Sequence, residues 1–384
     1  METTKGRILT THVGSLPRSA EVTRLVFGRE HGEVVDPAEF DGVVEAAVCD
    51  VVARQCAAGI DVVSDGEMSK ISYATYIKDR ITGFEGDSPR NPPADLEDFP
   101  GFLERQAKGG GTPSYRRPRC TGQIRVKSMR PLEDDLRRFG TALCQSRPVE
   151  GFMNAASPGV IALFQPNEYY PSHETYLEAL GEAMRPEYER IVAAGFVLQL
   201  DSPDLGLGRH MAFKHASDDD YLRLAELHVE VLNHALRNVP PERVRLHICW
   251  GNYEGPHHRD APLDLVLRAA LKARPQALLF ESANPRHAHE WEVFENIVLP
   301  EDKILVPGVI DSTTNFIEHP QLVAQRICRF ANIVGRERVM AGTDCGFSTF
   351  AGFGPVDPDI VYAKLGALTE GARMATERLW GKAA

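Results

Sequence analysis

Eight short apolar or β-branched runs recur along this chain, separated by longer amphipathic stretches. They are RILTTHV (7–13), IDVVSD (60–65), VEGFMNA (149–155), FVLQLD (196–201), RVRLHIC (243–249), ALLFES (277–282), ILVPGVI (304–310) and RVMAGTD (338–344). Such alternation is the pattern of βα units repeated around a parallel sheet. The stretches 37–59 and 175–195 each precede a strand and close on a glycine able to take the left-handed conformation that ends a helix. Eight units predict an α/β fold, a (β/α)8 TIM barrel forming one domain over 1–384. A segment rich in Pro, Gly and charge interrupts the repeat between the second and third strands. It reads as an insertion over 83–126, whose RCTGQIRV (119–126) adds a strand at the barrel rim.

A net charge of −11 argues against a nucleic-acid partner or an anionic membrane surface. No twenty-residue apolar run and no signal-peptide core is found, so the cytoplasm is the default expectation. Seven widely spaced cysteines in a chain this large do not read as a disulfide framework. Cys49, Cys56, Cys120, Cys144 and Cys328 read as small apolar residues or ordinary thiols.

In a barrel of this kind, chemistry gathers where the strands end. His247 and Cys249 lie two apart, so both point the same way from one strand end. Glu281 and Cys345 end two further runs. Imidazole, carboxylate and two thiolates suit a tetrahedral Zn2+ ion, and ligands scattered over about a hundred residues favour a catalytic rather than a structural metal. His12, Ser15, Asp65, Glu67, Asp201 and Asp311 complete a polar rim. The aromatic residues Phe164, Tyr169, Tyr170 and Trp250 read as a pocket wall or as loop packing. His257 and His258 read as a solvated loop pair, and His287 and His289 as surface or capping residues.

The stretches THVGSLPR (11–18), SDGE (64–67), LQLD (198–201), HIC (247–249), FES (280–282), GVID (308–311) and TDCG (343–346) occur in the order of one known domain. They resemble the catalytic domain of cobalamin-independent methionine synthase, in a superfamily that includes epoxyalkane:coenzyme M transferase. The resemblance implies zinc held by His247, Cys249, Glu281 and Cys345. It implies substrate contacts at Gly14, Ser15, Glu67 and Asp201, where a serine hydroxyl and backbone N–H groups suit a carboxylate and two acidic groups suit an ammonium. Phe164 stands where the synthases place a tryptophan under the pterin. Asp311 and Thr313 occupy catalytic positions, with Thr313 where the synthases carry a proton-transferring histidine. The acidic neighbour of the synthase aspartate is here Ser202. The synthases' extra N-terminal barrel is not expected either.

Three readings follow. The first is zinc-dependent S-methylation of homocysteine from a folate, another small donor or a protein methyl-donor partner. The second is alkylation of a coenzyme M-like thiol, and the third is a zinc-binding barrel without turnover. The missing histidine weakens folate as the donor, because a tetrahydrofolate amine leaves poorly unless it is protonated.

Overall fold

The computed structural model describes residues 1–89, 92–108 and 115–381. Its central feature is a seven-stranded parallel sheet in which neighbours in sequence are neighbours in space. The strands are β1 (Val62–Ser64), β2 (Glu150–Ala156), β3 (Val197–Asp201), β4 (Val244–His247), β5 (Ala277–Phe280), β6 (Ile304–Ile310) and β7 (Gly342–Thr343). The run expected as the first strand, 7–13, is reduced to bridges, yet it links both edges of the sheet. Thr11 N donates to Ala341 O at 2.9 Å, and Val62 N donates to Thr10 O at 3.0 Å. The sheet therefore curls in the manner of a TIM barrel.

Helices cover the outer face. In α1 (Pro37–Ala57), Asp36 caps the first turn by accepting from Ala38 N at 3.0 Å, and Val44, Val48, Val51 and Val52 form the buried stripe. In α2 (His173–Ala193), Ser172 and Thr175 form a capping box. Both helices exit through left-handed glycines, Gly59 and Gly195, as their sequences predict. Strand side chains alternate between two cores. Met153, Leu198, Leu246, Leu278 and Leu305 face the helices, whereas Val62, Phe152, Val197, Leu279 and Val306 fill the interior of the curl.

The stretch after β1 is less regular than RCTGQIRV implied. Arg119–Cys120 pairs antiparallel with Phe84–Glu85, and beyond it only Val126 bridges back, to Ile81. Two short helices, Ala94–Glu97 and Pro100–Lys108, lie between. Among the described residues no helix is long and apolar enough to cross a membrane.

Inside the curl, Arg245 on β4 is fully buried. It donates to Gln199 Oε1 at 2.8 Å, to Thr11 Oγ1 at 2.9 Å and to His12 O at 2.7 Å, and its guanidinium lies 3.5 Å over the Phe152 ring. A β4 side chain thereby grips the segment that joins the sheet edges. Arg245→Met leaves those acceptors unpaired in a dry core, so a loss of about 2–4 kcal/mol is expected in urea unfolding. An unchanged midpoint would show that the grip is dispensable.

A second buried network fixes the loop after β4. Asp260 Oδ2 accepts from His257 Nδ1 at 2.9 Å and from His287 Nε2 at 3.0 Å, with His210 Nδ1 3.2 Å from the other oxygen. His287 Nδ1 meets Glu290 at 2.7 Å, and Trp250 packs on its ring. His287 is thus a buried residue rather than the expected surface one; His289 is exposed. Burial disfavours charge on His257 and His287, but the carboxylates outweigh it and raise them to about 9 and about 10. A raised histidine stabilises the fold fully below its unfolded value of about 6.5 and loses that contribution as pH rises through the folded value. Thermal midpoints are therefore expected to fall from pH 7 to pH 10, with a shallower fall in His287→Gln. Parallel profiles for the two proteins would contradict this.

Candidate metal and thiol site

The strand ends bring His247, Cys249 and Cys345 together, with one ligand atom of each within 4.8 Å of the others. All three are buried. The two sulfurs are 3.7 Å apart. Tetrahedral zinc with bonds of about 2.3 Å would space two sulfurs by about 3.8 Å, so the pair fits that ion without rearrangement. His247 Nδ1 bonds to Asp201 Oδ1 at 3.1 Å, while Nε2 is buried with no hydrogen-bond partner. An imidazole fixed through one nitrogen with the other vacant has the form of a metal-ligating histidine. Burial opposes charge on His247, but Asp201 raises it above the ordinary histidine range. The bond to Cys345 and burial push the Cys249 thiol well up, a cost that a shared cation would reverse.

Glu281 borders this trio without joining it. Its oxygens accept from Trp250 N at 2.7 Å and Asn284 Nδ2 at 2.9 Å. The turn carrying it hangs on Asp344, which accepts from Ser282 N and Ala283 N at 2.8 Å each and from Asn284 N at 2.8 Å. Burial, with the charges of Glu281 and Asp311, lifts Asp344 to about 7. A Cβ at Gly308 would come 2.1 Å from Asp344 Oδ1, so only glycine fits beneath that carboxylate. Asp344 escaped the sequence reading, although alternation beside Cys345 places it facing away from the trio.

The trio opens into a cavity of about 1080 Å³. Ser15, Glu67, Asp201 and Phe164 line it. Asp201 is fully engaged, because Oδ1 also accepts from Gln199 Nε2 at 2.9 Å and Oδ2 from Asn154 Nδ2 at 2.9 Å. In this geometry Asp201 holds His247 through Nδ1, and both of its oxygens already have donors. Asn154 and Gln199 were not singled out in the sequence, yet they share the inward face of their strands with Asp201. Glu67 is the contrasting case. It is buried in a left-handed conformation (φ 58°), and its Oε2 has no partner. Burial, opposed by Lys70 and reinforced by Asp201, raises its carboxyl to about 7.

Gly14 supports this wall without lining it. Its φ is 134°, and a Cβ there would come 2.3 Å from Asn154 Oδ1. His12 and Asp65 serve the backbone and core: His12 pairs with Gln55 at 2.6 Å, and Asp65 Oδ1 accepts from Glu67 N at 3.0 Å. Asp311 and Thr313 lie outside the cavity lining. Thr313 donates through N and Oγ1 to Asp311 Oδ1 at 2.9 and 2.8 Å, while Thr314 Oγ1 donates to Oδ2 at 2.6 Å, so the turn caps itself. The expected aromatic wall is also redrawn. Phe164 is joined by Tyr73, Tyr115, Phe350 and Phe353; Trp250 is buried under the loop, and Tyr169 is exposed.

The family description "Cobalamin-independent synthase, Catalytic domain" matches residues 8–89 and 136–353. A methionine synthase of Saccharolobus solfataricus is 24% identical over 376 residues, covering 96% of this chain and 95% of the relative. One from Sulfurisphaera tokodaii is 22% identical, covering 97% and 94%. Among solved structures, a B12-independent methionine synthase from a Shewanella species in complex with selenomethionine superposes with a TM-score of 0.74 at 19% identity, covering 97% of this chain and 99% of that one. A putative vitamin-B12-independent methionine synthase from Listeria monocytogenes gives 0.65 at 18% identity, covering 96% and 98%. The chain belongs to the cobalamin-independent methionine synthase catalytic-domain family.

Proposed function

We propose that the protein transfers a methyl or alkyl group to the sulfur of homocysteine, using zinc held by His247, Cys249 and Cys345, with Glu281 as the fourth ligand. The observation that carries this reading is a buried imidazole nitrogen without a partner beside two sulfurs 3.7 Å apart, in one cavity with an unpaired carboxylate. The metal would supply a site at which a substrate thiol is held deprotonated at neutral pH. Asp201 keeps His247 in the required tautomer and orientation. Glu281, which borders the trio, would complete the ligand set in place of its bonds to Trp250 N and Asn284. In the proposed architecture this work is done by a single closed (β/α)8 barrel over 1–384, with the stretch 83–126 inserted at its rim. The unmatched gap between residues 89 and 136 in the family match supports that insertion.

Glu67 favours an amino-acid thiol over a coenzyme M-like one. A buried carboxylate oxygen with no donor is costly, and a substrate ammonium would satisfy it, whereas a sulfonate would be repelled. Ser15 Oγ and nearby backbone N–H groups take the substrate carboxylate. Thr313 is committed to Asp311, and among the described residues no histidine lines the cavity other than His247. Without a histidine acid in the donor half, the reading favours a leaving group that departs without protonation.

Loss of a sulfur ligand should separate metal binding from folding. Cys345→Ser is expected to lose tight zinc by elemental analysis while keeping its circular dichroism spectrum; full zinc retention would overturn the ligand set. Glu67→Gln is expected to weaken homocysteine roughly tenfold to a hundredfold and to leave 4-mercaptobutanoate, which lacks the amino group, unaffected. Equal losses for both thiols would remove the ammonium contact. Turnover on homocysteine with methyltetrahydrofolate should lie about 10²–10⁴-fold below that with a methylsulfonium donor. Comparable rates would show that another group supplies the proton.

A further inference from the structure

The cavity wall away from the metal ligands is aromatic. Tyr115 stacks on Phe350 with ring centroids 5.1 Å apart, Tyr73 meets Phe164 edge-on at 5.8 Å, and Phe353 lies 6.4 Å from Phe350. Arg117 enters this wall with its guanidinium 4.8 Å from the centre of the Phe164 ring. It is the only lysine or arginine among the described residues lining the cavity, whose acidic members are Glu67 and Asp201.

The backbone of Arg117 is anchored on both sides. Its N–H donates to Asp87 Oδ1 at 2.9 Å, and its carbonyl accepts from Ser88 N at 2.7 Å. The side chain is not. Among the described residues no carboxylate pairs with it, and Nε is buried without a hydrogen-bond partner. A buried guanidinium N–H left unpaired is costly unless a ligand completes it. The planar fork of arginine matches a carboxylate through two parallel bonds. A carboxylate entering a cavity that already holds two acidic side chains in a chain of net charge −11 also needs a local cation. Arg117 lies within residues 90–135, which the family description leaves unmatched.

We propose that Arg117 recognises a carboxylate on the alkyl donor, and that this donor has a flat, apolar body lying among Tyr73, Tyr115, Phe164 and Phe350. Arg117 is on this view a specificity-determining residue. The assignment of the ligand as the donor rests on the function proposed above; the carboxylate site itself does not.

Isothermal titration of the full chain with 2-naphthoate and with 2-naphthamide, equal in shape and different in charge, tests the site. Wild type is expected to bind the carboxylate roughly tenfold to a hundredfold more tightly than the amide. Arg117→Met should erase that preference while keeping the amide affinity, which also reports that the variant is folded. Arg117→Lys should retain part of the preference. Equal affinities in wild type, or a preference that survives Arg117→Met, would overturn the proposal. Homocysteine titrated in parallel separates the two ideas. If it fails to bind wild type while the naphthoate preference holds, the carboxylate site stands and the alkyl-transfer reading falls.

Discussion

One chain of hydrogen bonds inside the curled sheet ties the fold to the chemistry. Arg245 grips the segment that joins the sheet edges and donates to Gln199; Gln199 donates to Asp201, which also binds His247 Nδ1. Each member is buried and each lies on the inward face of its strand. A polar file through an apolar interior is tolerated because its bonds are made internally. The file ends at His247 Nε2, which is buried without a hydrogen-bond partner near the two sulfurs. The curl of the sheet and the orientation of the His247 imidazole are thus parts of one structure, and a change at Arg245 should be felt at His247.

The sequence made this arrangement legible wherever strand alternation alone decides direction. His247 and Cys249 share a face because they are two residues apart, and Cys345 ends another strand at the same rim. The sequence says less where a side chain's direction depends on partners from other elements. Glu281 is turned away from the trio by Trp250 N and Asn284, and Asp201 is taken up by three donors from three strands. Asp311 and Thr313 lie at a strand end as expected, but a local turn consumes their polar atoms. His287 looked like a surface residue because Asp260 and Trp250, which bury it, come from the loop after β4. Arg117 was hidden in a Pro- and Gly-rich stretch whose path no periodicity predicts.

The cavity is divided by chemistry. The His247, Cys249 and Cys345 trio, Ser15 and Glu67 supply polar and anionic groups suited to an amino-acid thiol, whereas the aromatic wall with Arg117 suits a larger, flatter molecule. Thiol S-alkylation needs two such half-sites meeting at the sulfur, with the reacting atoms held in line. A structural metal would need neither the cavity nor the unpaired Glu67 oxygen, and this argues against a barrel that only stores zinc.

The central claim is that the substrate sulfur itself goes to the metal. Zinc-edge X-ray absorption on the zinc-loaded protein, before and after adding homocysteine, measures this directly. The ligand geometry predicts two sulfur neighbours from Cys249 and Cys345 in the resting protein, and one more when homocysteine is present. A sulfur count that stays at two while homocysteine is bound would contradict the account.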